Sequence, residues 1–227
     1  MSKFTQKADL ILEALFTGAD EEEIKRREET APKILQEEWM EEFLKRKDVT
    51  KLPDGSYDVH GNVDLDRMGW RKLPARFNIV HGYFWCEYNK LTSLEGAPKE
   101  CRSSTNDAGF WCRNNQLTNL KGAPRIVEGH FGCDDNQITS LEGGPSSVSA
   151  SYLCSNNNLT NLKGAPAKIG EHYEFDCSRN PLLTSLEGAP KEVGVWVSDH
   201  AGKDFSFDEI YAACPKIGAT SDLPKKQ

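Results

Sequence analysis

The sequence predicts an α+β solenoid: short parallel β-strands stacked into a curve, with a small helical module before them and a short cap after. Three observations predict it. One phrase recurs five times, as YNKLTSLEGAP around Leu91, NNQLTNLKGAP around Leu117, DNQITSLEGGP around Ile138, NNNLTNLKGAP around Leu159 and RNPLLTSLEGAP around Leu182. A cysteine stands ahead of each phrase, at Cys86, Cys112, Cys133, Cys154 and Cys177, so the period is 21 to 26 residues. An aromatic residue lies two positions before every one of these cysteines. Periods of this length belong to solenoids, in which each unit buries its apolar side only against its neighbours.

Residues 1–48 read as the helical module. Ala8, Ile11, Leu12 and Leu15 fall at helical spacing and the run stops at Gly18, predicting a first helix over 5–16. Asp20 and Glu23 have capping-box spacing for a second, solvated segment with Ile24 as its one apolar anchor. Thr30-Ala31-Pro32 opens a third helix carrying Ile34, Leu35, Trp39, Met40, Phe43 and Leu44, with Lys45-Arg46-Lys47 complementing the dipole at its end. Such a stripe must lie on something, and the first unit of the solenoid needs a cover, so the module reads as a cap.

Residues 49–200 form the solenoid. Val59 and Asn62 of YDVHGNVDL keep the cysteine–asparagine spacing of a degenerate opening unit, with Leu73-Pro74 where Gly-Ala-Pro later stands. Val195-Trp196-Val197 retains a strand after the asparagine phrase has faded. Residues 201–227 read as a cap in which Phe205, Phe207, Ile210 and Tyr211 cover the last unit, followed by the loose tail SDLPKKQ.

Each full unit is aromatic-x-Cys-x-x-Asn-x-Leu-Thr-x-Leu-x-Gly-Ala-Pro. Side chains alternate along a strand, so Phe84/Cys86, Phe110/Cys112, Phe131/Cys133, Tyr152/Cys154 and Phe175/Cys177 point inward together. Asn89, Asn115, Asn136, Asn157 and Asn180 fall where the chain leaves the strand, and a buried amide there can donate to and accept from the backbone of adjoining turns. The leucines refill the core, and Gly-Ala-Pro bends the chain into its return path.

The 227 residues carry a formal net charge of −7, which argues against general attraction to nucleic acid or anionic membrane. The N-terminus MSKFTQKADLILEALF has Glu13 in its apolar stretch and no small-residue cleavage site, so the expectation is a cytoplasmic protein with free thiols. One cysteine per unit forms a line rather than the converging pairs of a zinc site, so these thiols read as small apolar filler. Cys101 and Cys214 fall outside the row and read as candidate surface thiols. His60, His81, His130, His172 and His200 lack a nucleophile or acid partner and read as solvated. There is no phosphate loop, dinucleotide fingerprint or H-E-x-x-H, so no catalytic residue, cofactor or metal is expected.

Function is expected at the positions that the repeat leaves free. The residues flanking each cysteine face outward, giving Trp85, Trp111, Gly132, Leu153, Asp176 and Trp196 in one column and Glu87, Arg113, Asp134, Ser155, Ser178 and Ser198 in the next. Trp85, Glu87, Tyr88, Trp111, Arg113, Asp134, Leu153, Asp176 and Trp196 are the candidate partner-binding residues, since Trp and Arg dominate binding hot spots.

The pattern Leu-x-x-Asn-x-Leu after a short strand resembles the leucine-rich repeat, with Phe/Tyr-x-Cys in place of Leu-x-Leu. The wording C-x-x-N-x-L-T-x-L-x-G-A-P-K, behind an opening unit such as DGSYDVHGNVDL, is similar to the cysteine-containing leucine-rich repeats of tailed-bacteriophage proteins. The likeness covers about two-thirds of the chain and excludes residues 1–48. It implies a phage-encoded, non-enzymatic interaction protein that binds and blocks or redirects a bacterial host protein, such as a defence protein, in the host cytoplasm. An assembly role in the phage particle, an acidic nucleic-acid mimic and an enzyme seated in residues 1–48 are the alternatives.

Overall fold

In the computed structural model, residues 21–103, 108–198 and 205–220 are described. The predicted helix over 5–16, His200 and the SDLPKKQ tail lie outside them. The chain winds as a β-solenoid whose turns are joined by two parallel ladders. Apart from the antiparallel first strand β1 (Val49–Lys51), the strands fall alternately into the two sheets as far as Tyr152–Leu153, and the later strands all join the same sheet as that strand. In the valine sheet lie β2 (Tyr57–Val59), β4 (Phe77–Val80), β6 (Glu100–Cys101), β8 (Ile126–Val127) and β10 (Ser147–Val148). In the aromatic sheet lie β3 (Val63–Asp64), β5 (Tyr83–Trp85), β7 (Gly109–Trp111), β9 (His130–Gly132), β11 (Tyr152–Leu153), β12 (Glu174–Asp176), β13 (Glu192–Val197) and β14 (Lys216–Thr220).

The inward column of the aromatic sheet is continuous. Phe84, Phe110, Phe131, Tyr152, Phe175 and Trp196 are all buried, with successive ring centroids 4.9–5.9 Å apart. Each cysteine of the row lies buried beside its ring, and the Sγ of Cys86 donates to the carbonyl of Trp111 at 3.3 Å. Burial pushes the thiols of Cys86, Cys112, Cys133 and Cys154 up, away from the reactive thiolate.

The second sheet was not foreseen. It follows a quieter repeat, an apolar residue three positions after each proline of the phrase: Cys101, Val127 and Val148 lie in the sheet, and Ile169 and Val193 carry the spacing on beyond its last strand. These are buried, and Val80–Cys101 and Cys101–Val127 are register partners. Cys101 is therefore a core residue of the valine sheet and not a surface thiol. Cys214, packed under the C-terminal helix, is buried as well.

A third side of each turn carries no strand. Here Leu91/Leu94, Leu117/Leu120, Ile138/Leu141, Leu159/Leu162 and Leu183/Leu186 fill the interior. The asparagines hold this corner. The Asn157 Nδ2 donates to the carbonyls of Cys133, Cys154 and Ser155 at 3.0–3.2 Å, while its Oδ1 accepts from the Ile138 N–H at 2.9 Å. Asn89, Asn115, Asn136 and Asn180 repeat the pattern. At the bend, Gly122 has φ +93°, and an added Cβ would sit 2.8 Å from the Leu94 carbonyl oxygen, so a side chain is excluded twice over. Just before it, the residue that is Ser in one unit and Asn in the next accepts the N–H two positions on, at Glu95, Lys121, Glu142, Lys163 and Glu187. Those five residues run Glu, Lys, Glu, Lys, Glu along one ridge, and Lys163 Nζ lies 3.0 Å from Glu187.

The opening turn differs from the expected register. Val63 pairs with Phe84, so Val63 and Leu65 take the aromatic and cysteine positions, and Met68 stands where asparagine stands later. Val59 belongs to the valine sheet, opposite Val80. Asn62 instead accepts the Tyr83 N–H at 2.9 Å.

The helix α1 (Glu21–Leu44) is one element where the sequence predicts two. Pro32 removes only one backbone donor, and the run continues because Leu35, Trp39 and Phe43 bury one face beyond it. Trp39 and Phe43 stack at 4.6 Å and meet Trp70, Tyr57 and Phe77 edge-on. Full burial of three such side chains contributes about 6 kcal/mol of gross transfer energy. Trp39 Nε1 donates to the Asp64 carbonyl at 3.0 Å and Arg46 Nη1 to the Asn62 carbonyl at 2.8 Å, satisfying the free edge of β3. Ile34 and Leu44, expected in the stripe, are exposed. At the other end, α2 (Phe207–Ala213) starts in a Ser206–Glu209 capping box and buries Ile210, and β14 then adds a further parallel rung.

Candidate binding face

The outward side of the aromatic sheet presents three columns. In the middle one, Asp64, Trp85, Trp111, Gly132, Leu153, Asp176 and Val197 are register partners in succession. Trp85 and Trp111 are adjacent and half-buried, as the alternation of the repeat predicts. Trp196 is a correction. It pairs with Phe175, points into the core and is 2% exposed, leaving Val197 to take the outward place. No cysteine marks the register of this last unit, and the repeat spacing alone sets the tryptophan one position off.

The rings lean on the sheet for a local reason. A Cβ added at Gly132 would fall 2.4 Å from Trp111 Cε3, and one at Gly109 would fall 2.9 Å from Trp111 Nε1. The indole therefore lies across two positions that have no side chain. His130 stacks against Trp111 at 5.9 Å and meets Tyr173 edge-on at 5.7 Å. His130 is half-buried and not the solvated histidine expected, and burial lowers its pKa. Tyr83, which sequence reasoning passed over, stacks on Trp85 at 4.9 Å. Its signal was its place two residues ahead of Trp85 on the same face.

Beside the tryptophans runs the polar column Asp66, Glu87, Arg113, Asp134, Ser155 and Ser178. Glu87 and Asp134 point outward, yet both are buried, a second correction to the expected open surface. Arg113 covers Glu87 through a charge-assisted hydrogen bond from Nε, and lies over the faces of Trp111 and Tyr88 at 5.7 and 6.0 Å. Asp134 accepts from Ser155 Oγ at 3.0 Å, and burial pushes its carboxyl up to about 6. Burial also pushes Asp66 up to about 7. Leu153 and Asp176 are half-exposed, and Asp176 accepts the Ser178 N–H at 2.9 Å.

The third feature is the corner after the strands. Arg67, Tyr88, Asn114, Asp135, Asn156 and Arg179 all have φ between +50° and +58°. Tyr88 is 43% exposed and Arg67 lies over its ring at 4.7 Å. Between α1 and the sheet edge, a cleft of about 430 Å³ is lined by Trp39, Glu42, Phe43, Arg46, Asn62, Asp64 and Trp85.

Among the described residues no three His, Cys, Asp or Glu side chains converge as a metal site, and no helix is long and apolar enough to cross a membrane. The fold and this face define a class: a two-ladder β-solenoid that displays aromatic rings on one sheet. Comparison with known proteins adds no nearer relation, since no family model matches the chain and neither curated proteins nor solved structures give a match.

Proposed function

We propose that the chain is a stoichiometric, non-enzymatic docking module whose partner protein meets the outward side of the aromatic sheet. The observation that carries the reading is Trp111, an indole laid flat over Gly109 and Gly132 with Arg113 and His130 around it. Large apolar area held rigid beside an arginine is the make-up of a binding hot spot. Trp85, Tyr88, Trp111, Arg113, Leu153 and Asp176 would make the contact, with Glu87 and Asp134 fixing the polar column from beneath. The cysteine–asparagine wording supports a leucine-rich-repeat kinship and a phage-encoded product that engages a host factor in the bacterial cytoplasm. Affinity capture from bacterial lysate with the wild type beside Trp85→Ala/Trp111→Ala tests it. The expected result is a stoichiometric partner recovered by the wild type and lost by the double variant; equal recovery overturns the reading.

A further inference from the structure

The corner ladder singles out Tyr88. Six residues in a row adopt the left-handed conformation, where Asn and Asp are favoured among non-glycine residues. Asn114, Asp135 and Asn156 suit it, and Asp135 accepts from both neighbouring asparagine side chains. Arg67, Tyr88 and Arg179 suit it less, and of these Tyr88 alone carries an aromatic ring, which is exposed at the corner and fills no part of the core. A ring kept where it strains the backbone and packs little is the signature of a residue retained for contact.

Its surroundings state the chemistry of that contact. Arg67 stacks on one side at 4.7 Å and Arg113 reaches the ring at 6.0 Å. Lys90, two residues on, and Arg71 are exposed, and the Lys90 N–H bonds to the Trp70 carbonyl, which brings Lys90 beside Arg71. Among the described residues Arg67, Arg71 and Lys90 make no ion pair. In a chain of net charge −7 these three exposed cations gather around an aromatic ring, while the neighbouring carboxylates are engaged, Glu87 by Arg113 and Asp66 by the Glu87 N–H. The basic character is short: one rung past Arg113 the ladder turns to Asp134 and Asp135. An extended phosphodiester running along the solenoid would meet those carboxylates, whereas a compact acidic segment would not.

We propose that the corner formed by Arg67, Tyr88, Lys90 and Arg113 binds an acidic peptide segment of the partner, its carboxylates on the guanidinium groups and an apolar side chain on the Tyr88 ring. The inference rests on the docking face proposed above and names the chemistry it reads. Fluorescence anisotropy of a short labelled peptide with a Glu-Phe-Glu core tests it on the full chain, beside the Gln-Phe-Gln peptide and a short oligothymidylate. The expected result is saturable binding of the Glu peptide, at least about tenfold tighter than the Gln peptide and weakened by added salt. Tyr88→Asn and Arg67→Asn, which place a favoured residue in the same conformation, should abolish that binding with urea midpoints no lower than wild type. Absent or equal peptide binding, unchanged binding by the variants, or a lowered midpoint for Tyr88→Asn overturns it. Tighter binding of the oligothymidylate overturns it in favour of nucleic acid. Loss of lysate capture in Trp85→Ala/Trp111→Ala alongside unchanged capture in Tyr88→Asn would remove the acidic-peptide chemistry while leaving the docking face standing.

Discussion

Asn157→Ala should remove a large share of the stability of the fold through four hydrogen bonds. The Asn157 side chain is nearly solvent-free and satisfies the Ile138 N–H at 2.9 Å and the carbonyls of Cys133, Cys154 and Ser155 at 3.0–3.2 Å. Alanine leaves the amide of the fully buried Ile138 without this partner, while the three carbonyls each lose one of two donors and keep Asn136, Asn180 and the Asp135 N–H respectively. A buried donor left unpaired costs about 1–3 kcal/mol and the three weakened carbonyls add to it, so the loss should be roughly 2–4 kcal/mol. Against a typical total of about 5–15 kcal/mol that is a sizeable fraction. Equilibrium urea unfolding, followed by circular dichroism and tryptophan emission, measures it as a lowered midpoint at unchanged slope. Asn158→Ala, next in sequence and bonded to Ile138 only through its backbone N–H at 2.9 Å, should change stability by less than about 0.5 kcal/mol. Asn157→Asp should be at least as damaging as alanine, because a carboxylate there would face three carbonyl oxygens. A loss under about 1 kcal/mol for Asn157→Ala, or an innocuous Asn157→Asp, would show that the ladder does not hold the turns.

Three further outcomes are expected. Stability should fall as pH rises from about 4 to about 7: the folded chain retains protons on Asp66 and Asp134 that the unfolded chain releases, and that contribution is lost as their raised folded pKa values are passed. Discounted for partial exposure the effect is on the order of 1–2 kcal/mol, and Asp134→Asn should flatten the urea midpoint against pH. All seven thiols, Cys101 and Cys214 included, should resist a thiol reagent in the native state and react in denaturant; rapid labelling of Cys101 would contradict its place in the valine sheet. Gly132→Ala should lift the Trp111 indole off the sheet, shown by a red-shifted emission and by partner binding reduced as in Trp111→Ala.

The legible parts of the molecule are those written in repeated letters. Phe-x-Cys and the asparagine three residues later announce both the inward column and the amide ladder, because the same physical demand recurs at every rung. The valine sheet escaped because its demand is looser. An inward position flanked by backbone ladders accepts Cys101, Val127 or Val148 alike, so no shared letter marks it. The two ends misled for a related reason: Leu65 and Met68 fill the cysteine and asparagine sites with different chemistry, and Asn62 imitates a spacing while capping Tyr83. At the binding face, alternation placed Trp85 and Trp111, but burial of Glu87 and Asp134 depends on Arg113 and Ser155 folding over from neighbouring turns, which one strand's sequence does not encode.

The ridge Glu95, Lys121, Glu142, Lys163, Glu187 bears on how such a chain can be lengthened or shortened. Deleting a single turn would bring two like charges to neighbouring rungs, whereas deleting or duplicating turns in pairs preserves the alternation. Growth by doublets is then the tolerated step, and a relative differing by an odd number of internal turns would need a compensating charge reversal at the splice.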